Sequence, residues 1–296
     1  MPSLIDIRRR IRSVKNTQQI TKAMKMMSAA RLRRAQERVF SARPYAGLMR
    51  QTLISLVSRL EASRPEGEGG PLHPLLARRT PERLLLLVLG GDKGLAGAFN
   101  TNIHKAAAAF LGQHSGEHVA MIAIGRKPRD FFRRRRTLEG EYADVFARVN
   151  YSTARDVAAQ VIAAYTAPER EKAADAVYII YNEFKSVMTQ RLVTEQLLPL
   201  ASLEPQPGET LVGYIYEQPA KEILAHLLPK YVEVQVFRAL LESAAAEHAA
   251  RMTAMDSASS NAAEMIDSLT LNMNRIRQAS ITREIIEIVS GAAALG

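Results

Sequence analysis

Two long stretches without glycine or proline, one near each end of the chain, most constrain how this sequence can fold. The first covers residues 3–43, and the second covers the 61 residues from Lys230 to Ser290. Because glycine and proline are the residues least compatible with a helix interior, both stretches predict long helices. Clusters of the same two residues at 61–82 and 199–213 predict linkers.

Apolar residues recur in a heptad through the N-terminal stretch. With Leu4 as position a, 13 of the 17 a and d positions up to Leu60 are apolar, as expected for a helix paired along one seam. The four exceptions are consecutive: Gln18, Thr21, Lys25 and Ser28. A shifted apolar stripe accompanies them: Ile20, Met24 and Met27. We therefore expect the helix to turn a different face to its partner helix here. The cause would be either a local stutter in the coiled coil or contact with a second protein or domain.

A second heptad follows in the C-terminal stretch. Its a and d positions are Met252, Met255, Ser259, Ala262, Ile266, Leu269, Met273 and Ile276. The simplest arrangement pairs the two helices, and since the chain must turn back between them, the pair is antiparallel. Further apolar residues form a C-terminal apical tip: Ile281, Ile285, Ile288, Val289 and Leu295. No N-terminal residue remains to cover this tip if the first helix begins opposite Ile276, so it predicts a partner surface.

The net charge of +10 resides in the N-terminal segment. Residues 1–59 contain 14 lysines and arginines but only Asp6 and Glu37 as acids. All of the basic residues except Lys25 avoid positions a and d, so the outer faces of the predicted coil are basic. Four of these residues define what we call the basic shaft surface: Arg8, Arg9, Arg10 and Arg12. We expect this surface to interact with a partner or with an electrostatic field.

The segment between the two stretches has the pattern of an α/β domain. Predicted strands at 83–89, 118–125 and 175–182 alternate with predicted helices at 99–111 and 152–166, the second of which a Ser/Thr cap would begin. Residues 186–198 form an extended stretch that could return beside the last strand. The fold class is therefore a small, largely parallel α/β sheet plus a long antiparallel coiled coil. Its predicted divisions are 1–60, 61–82, 83–213 and 214–296.

A search for chemistry finds no convincing catalytic, cofactor or metal site. With no cysteine, thiolate metal sites and disulfides are excluded. The glycine-rich segment 90–97 follows a strand, but its spacing matches neither dinucleotide nor P-loop motifs, so we interpret it as a turn in a Rossmann-like scaffold. We attribute the four-residue spacing of His114 and His118 to chance rather than to a metal site. For the four arginines 133–136, we favour a solvated helix face over a phosphate contact.

Four segments carry a resemblance to a known family. Residues 11–32 and 274–295, and more briefly 94–100 and 181–188, are similar to the gamma subunit of F-type ATP synthase. The resemblance covers nearly the whole chain and is densest at the two ends. It implies a rotor shaft built from the terminal helices, with a Rossmann-like domain that lacks an active site.

The resemblance also implies partners and a location. The shaft would sit in a hexamer of alternating alpha and beta subunits and rest on the epsilon subunit and the membrane c-ring. Without a presequence or a chloroplast-type regulatory cysteine, a bacterial protein is expected, peripheral on the cytoplasmic face of the inner membrane. No cofactor, small-molecule substrate or nucleic acid is expected to bind. The chain would be non-catalytic, in a complex that couples proton flow to ATP synthesis.

Carried over by position, the resemblance marks six residues as coupling or beta-subunit contacts. They are Met24, Arg277, Gln278, Thr282, Glu284 and Glu287. Two other functions compete with this assignment. The basic segment could form a nucleic-acid-binding coil, but its charge and its seam occupy the same residues. An enzyme on residues 83–200 would need the catalytic site that the search did not find.

Overall fold

The computed structural model describes residues 3–64, 70–169, 173–200, 203, 213–214 and 216–293. The chain divides into two compact units, one formed by Met1–Ala29 with Arg251–Gly296 and the other by Ala30–Ala250. The two terminal helices are α1, Leu4–Ala62, and α5, Ala220–Ala293. Each helix continues through an internal proline, Pro44 in α1 and Pro229 in α5.

The heptad of α1 holds without interruption. Each of its 17 a and d positions is buried or half-buried, including the polar ones. The expected change of face is therefore wrong, and so is the stutter. Ile20 and Met27, which were to carry the shifted stripe, are instead 60% and 54% exposed.

Polar partners across the seam explain why the register survives. In the first unit the hydroxyls of Thr21 and Ser259 lie 2.7 Å apart, and Lys25 Nζ lies 2.5 Å from Asp256 Oδ1. A buried hydroxyl costs little when it is hydrogen-bonded, so the seam tolerates this pair. Because numbers rise along α1 as they fall along α5, these contacts make the two helices antiparallel, as predicted.

The second unit contains a five-stranded sheet. Its strands are β1 (Arg83–Leu89), β2 (His118–Ile124), β3 (Gly140–Tyr142), β4 (Ala176–Phe184) and β5 (Gln190–Leu198). Their order is β3-β2-β1-β4-β5, with β5 antiparallel to β4 and the other pairs parallel. This order matches the first five positions of the Rossmann strand order 3-2-1-4-5-6, with β5 reversed, so the predicted fold class is confirmed.

Three helices pack beside these strands. They are α2 (Phe99–Gln113), α3 (Arg126–Phe132) and α4 (Tyr151–Tyr165), and a 3-10 turn covers Pro74–Leu76. Neither α3 nor β3 was predicted from the sequence, because both are too short to show a period. Two further predictions were wrong. Asn150 rather than a Ser/Thr residue precedes α4, with no side-chain cap bond, and Arg133–Arg136 form a turn after α3 rather than a helix face.

A close backbone crossing requires glycine at position 125. Gly125 has φ of +100°, and a Cβ there would lie 1.9 Å from the carbonyl oxygen of Gly90. Glycine therefore lets the end of β2 approach the end of β1.

The middle of α5 is buried among the elements of the second unit. Residues 239–247 are all buried, as expected for a helix segment surrounded by protein on every side. Within this segment Glu242 is 3% exposed and accepts hydrogen bonds from Arg43 Nε at 2.9 Å and Arg43 Nη2 at 3.1 Å. The backbone N–H of Phe184, at the end of β4, donates to the same carboxylate at 3.0 Å. One carboxylate thus joins α5 to both α1 and β4.

Candidate functional site

The last turns of α5 form an exposed apolar surface within the first unit. Extending the Thr21–Ser259 pairing along the seam brings Leu4 opposite Ile276, so the following turns of α5 lie beyond the start of α1. Among the described tip residues, Ile285, Ile288 and Val289 are 55%, 71% and 63% exposed. Leu295 lies outside the described residues. An uncovered run of branched apolar side chains suits a protein surface.

The predicted coupling residues of α5 are exposed together on these turns. They are Arg277, Gln278, Thr282, Glu284 and Glu287. Thr282 Oγ1 donates to the carbonyl of Gln278 at 3.0 Å, and Ser280 donates to Glu284 Oε1 at 3.2 Å. The guanidinium of Arg277 is at the surface one residue after the half-buried Ile276, so it is accessible to a partner.

Met24 belongs to a different level of the coil. It is half-buried beside the Lys25–Asp256 ion pair. Twenty-one residues separate Asp256 from Arg277, which is about 30 Å along the helix at ~1.5 Å per residue. The structure therefore does not bring Met24 together with the α5 residues. Near Met24, however, Ile20, Met26 and Met27 add exposed apolar area.

The basic shaft surface is exposed throughout. Arg8, Arg9, Arg10 and Arg12 all face solvent, while their neighbour Ile7 is buried in the seam. The heptad assigned them correctly to the outer faces. Their guanidinium groups are available to an acidic partner.

The glycine-rich turn is held by its own hydrogen bonds. The N–H groups of Gly90 and Gly91 donate to the carbonyl of Ile124 and to Asn100 Oδ1, at 2.9 and 2.8 Å. The Asp92 carboxylate, 7% exposed, accepts from three backbone N–H groups, those of Arg126, Asp144 and Phe146, at 2.8–2.9 Å. The amides of Gly90 and Gly91, which a phosphate loop could offer to a ligand, thus bind protein atoms, and the Asp92 carboxylate lies beside them.

The described residues contain no group of three or more His, Cys, Asp or Glu side chains able to hold a metal ion. His114, considered above with His118, instead contacts Glu117 at 2.9 Å. In the described part of the chain no helix is long and apolar enough to cross a membrane.

His104 gives the second unit a pH-sensitive contact. Its ring stacks on Phe131 at 4.3 Å, and its buried Nε2 has no hydrogen-bond partner among the described residues. Burial lowers the pKa of His104 below its ordinary 6.5, and the nearby Arg135 and Lys127 lower it further. The unfolded chain therefore binds the proton more readily, so stability falls as the pH drops below about 6.5.

We expect His104→Phe, which keeps the stack but cannot titrate, to reduce this loss of stability at low pH. All nine tyrosines lie between Tyr45 and Tyr231, inside the second unit, and the chain has no tryptophan. Tyrosine fluorescence during urea unfolding at pH 5, 6 and 7.5 therefore reports that unit. Parallel pH profiles for the variant and the parent would contradict this role of His104.

Taken together, the described features are those of a protein that binds protein partners through a long antiparallel helix pair. It has two long helices paired antiparallel, an uncovered helix end, a basic helix surface and a Rossmann-like sheet whose glycine turn is internally bonded. Exposed apolar and basic helix surfaces of this kind are suited to protein partners.

Comparison with known proteins identifies the family. The profile of a family described as ATP synthase matches residues 3–295. The ATP synthase gamma chain of Solibacter usitatus (strain Ellin6076) is 58% identical over 295 residues, 99% of each chain. That of Geobacter sp. (strain M21) is 48% identical over 297 residues, covering 100% of this chain and 99% of the relative. The chain belongs to the ATP synthase gamma chain family.

Solved structures show the same fold. The central stalk and c-ring structure of the Tetrahymena thermophila mitochondrial ATP synthase matches with a TM-score of 0.61 and 26% identity, over 81% of this chain and 99% of that one. A chain of the Euglena gracilis mitochondrial ATP synthase in rotational state 3 matches with a TM-score of 0.67 and 19% identity, over 99% and 94%. The chain is thus a non-catalytic, central-stalk rotor subunit of ATP synthase, which confirms the family that the terminal motifs indicated.

Proposed function

We propose that this chain is the shaft that couples proton flow through the membrane sector to sequential conformational changes at three catalytic beta subunits. The observation that carries the proposal is the segment 277–289 of α5, which is exposed almost throughout and lies beyond the start of α1. An uncovered segment with a fixed pattern of charged and apolar side chains can contact different beta subunits as it turns.

The proposal includes the partners and the location. The alpha and beta subunits would surround the coil, and the epsilon subunit and the c-ring would bind elsewhere on the chain. The bacterial relatives support a site on the cytoplasmic face of the inner membrane, where the chain would be peripheral. Residues 83–213 would form the domain between the coil segments 1–60 and 214–296.

We propose that Arg277 and Gln278 form an angle-dependent catch, which is a contact with a beta subunit that is released and remade during each turn. Both are exposed, neither is on the buried seam, and consecutive helix residues point about 100° apart. Arg277 can therefore meet a beta-subunit carboxylate in only some rotational states. A charge-assisted hydrogen bond of this type contributes about 1.5–3 kcal/mol before solvent screening. Thr282, Glu284, Glu287 and, at its separate level, Met24 would be further contacts.

The double change Arg277→Ala and Gln278→Ala tests the catch. We expect ATP-driven proton pumping in vesicles to fall several-fold while the amount of assembled complex stays unchanged, because the seam is intact. Pumping is measured beside quantitative detection of the complex on the same vesicles.

A matched control is available on the same helix. Asn272→Ala with Arg275→Ala removes the same kinds of group from exposed positions, and we expect it to leave pumping near normal. Equal losses in the two double variants, or normal pumping in the first, would refute the catch. Loss of assembly would make Arg277 and Gln278 structural instead.

A further inference from the structure

We propose that the arginine turn, defined as Arg133–Arg136, is a docking surface for an acidic, extended segment of a partner polypeptide. The turn lies in the second unit, between α3 and β3, and has no part in the proposed rotary contacts. All four of its side chains are exposed. They line an open groove of about 450 Å³ together with Thr137, Leu138 and Glu141.

The backbone of the arginine turn has a defined conformation. The N–H of Arg133 donates to the carbonyl of Arg129 at 2.9 Å. Those of Arg135 and Arg136 both donate to the carbonyl of Phe132, at 2.8 and 2.9 Å. Since Phe132 is 2% exposed, the turn is anchored to the core of the unit. The backbone that carries the four guanidinium groups is therefore fixed.

Local contacts order three of these side chains. Arg135 lies 4.0 Å above the ring of Phe131 and donates to its carbonyl at 2.7 Å, and His104 stacks on that ring. Arg136 donates to the carbonyl of Val119 at 3.5 Å. Arg133 Nε is 3.7 Å from Glu141 Oε1. Ordering the side chains before binding lowers the entropy that a partner's arrival would cost.

The charge around the groove is not neutralised by its own carboxylates. Residues 126–141 contain seven lysines and arginines against Asp130, Glu139 and Glu141. Only Glu141 is among the residues that line the groove. Guanidinium groups pair well with carboxylates, so the surplus selects an acidic ligand.

Two features favour a polypeptide over a membrane. Between residues 126 and 142 the large apolar side chains, such as Phe131 and Leu138, are buried or half-buried, whereas a membrane-binding surface offers apolar side chains to the lipid. In addition, β3 is an edge strand that pairs with β2 alone in the described sheet. An extended segment can run along such an edge, and Glu141 connects that edge to the groove.

The test measures binding of the full-length chain to a fluorescein-labelled, alternating Asp/Gly peptide by fluorescence anisotropy. Changing Arg133, Arg134, Arg135 and Arg136 together to Gln should weaken affinity about fifteenfold, at roughly a factor of two for each exposed charge pair. The matched control changes Lys105, Arg148, Arg155 and Lys221 to Gln, which removes the same charge from exposed positions elsewhere on the second unit. It should weaken binding at most about twofold. Equal losses would overturn the proposal, because the peptide would then sense net charge alone.

Two further measurements keep the proposal falsifiable if the quadruple variant misfolds. Arg134→Glu is a single change at an exposed groove residue, and it should weaken peptide binding about fivefold with unchanged tyrosine fluorescence. Affinity unaffected by this change would overturn the proposal. Vesicles of anionic phospholipid and inorganic polyphosphate serve as competing probes. Tighter, turn-dependent binding to either one would overturn the assignment of a peptide partner.

Discussion

Glu242→Ala is expected to lower the free energy of unfolding of the second unit by about 3 kcal/mol. The change removes a carboxylate that is 3% exposed. It leaves the N–H of Phe184 without this acceptor and the guanidinium of Arg43 without its carboxylate partner, so that Arg43 keeps its bond to the carbonyl of Phe184 at 3.0 Å. Breaking a buried pair by deleting one partner costs about 3–5 kcal/mol, and we use the lower end because the Arg43 side chain is 38% exposed. Urea unfolding followed by tyrosine fluorescence measures the loss.

Two variants define what the Glu242 result means. Glu222→Ala changes an exposed glutamate in the first turn of the same helix and should stay within about 0.5 kcal/mol of the parent. Replacing Arg43 and Glu242 together by Leu should recover part of the loss, because no unpaired charge remains. A loss below about 1 kcal/mol for Glu242→Ala would show that the network contributes little.

Asp92→Ala is expected to have an effect of similar size, about 3 kcal/mol or more. Three buried or half-buried N–H groups would lose their acceptor, and each such loss costs about 1–3 kcal/mol unless water replaces the carboxylate. These amides follow the ends of β2 and β3, so their hydrogen exchange should accelerate more than that of the β1 amides. The same fluorescence assay gives the change in unfolding free energy.

Asp130→Ala is the control for Asp92. Asp130 is an exposed aspartate of α3 whose ion pair with Arg129 is at the surface, and its removal should change stability by less than about 0.5–1 kcal/mol. If Asp92→Ala were as mild as Asp130→Ala, the turn 90–97 would not depend on its central carboxylate.

Periodicity predicted the elements that repeat along the chain. The heptad predicted the seam because apolar side chains at a and d must be buried together, and the run Leu84–Leu89 predicted a fully buried strand. The exposed tip followed from counting, since α1 has no residue left to cover Ile285 or Ile288. The outer position of Arg8, Arg9, Arg10 and Arg12 followed from the same register.

Contacts between distant residues could not be predicted in this way. The Thr21–Ser259 bond makes two polar residues acceptable in the seam, yet neither residue signals the other across 238 positions. A charge at Lys25, on a seam position, was the one available sign that an acid such as Asp256 lies opposite. The role of Asp92 was hidden because its partners are backbone N–H groups, which carry no sequence signature.

The most direct test of the rotor assignment is observation of rotation in the assembled complex. Because the chain contains no cysteine, Lys105→Cys on the exposed side of α2 gives a unique site for attaching a bead to this subunit. The complex is built with alpha and beta subunits from the same source and fixed to a surface through the beta subunits. We predict that ATP hydrolysis turns the bead continuously in one direction. Hydrolysis at a normal rate by the bead-carrying complexes, with the bead confirmed to be attached but stationary, would contradict the account.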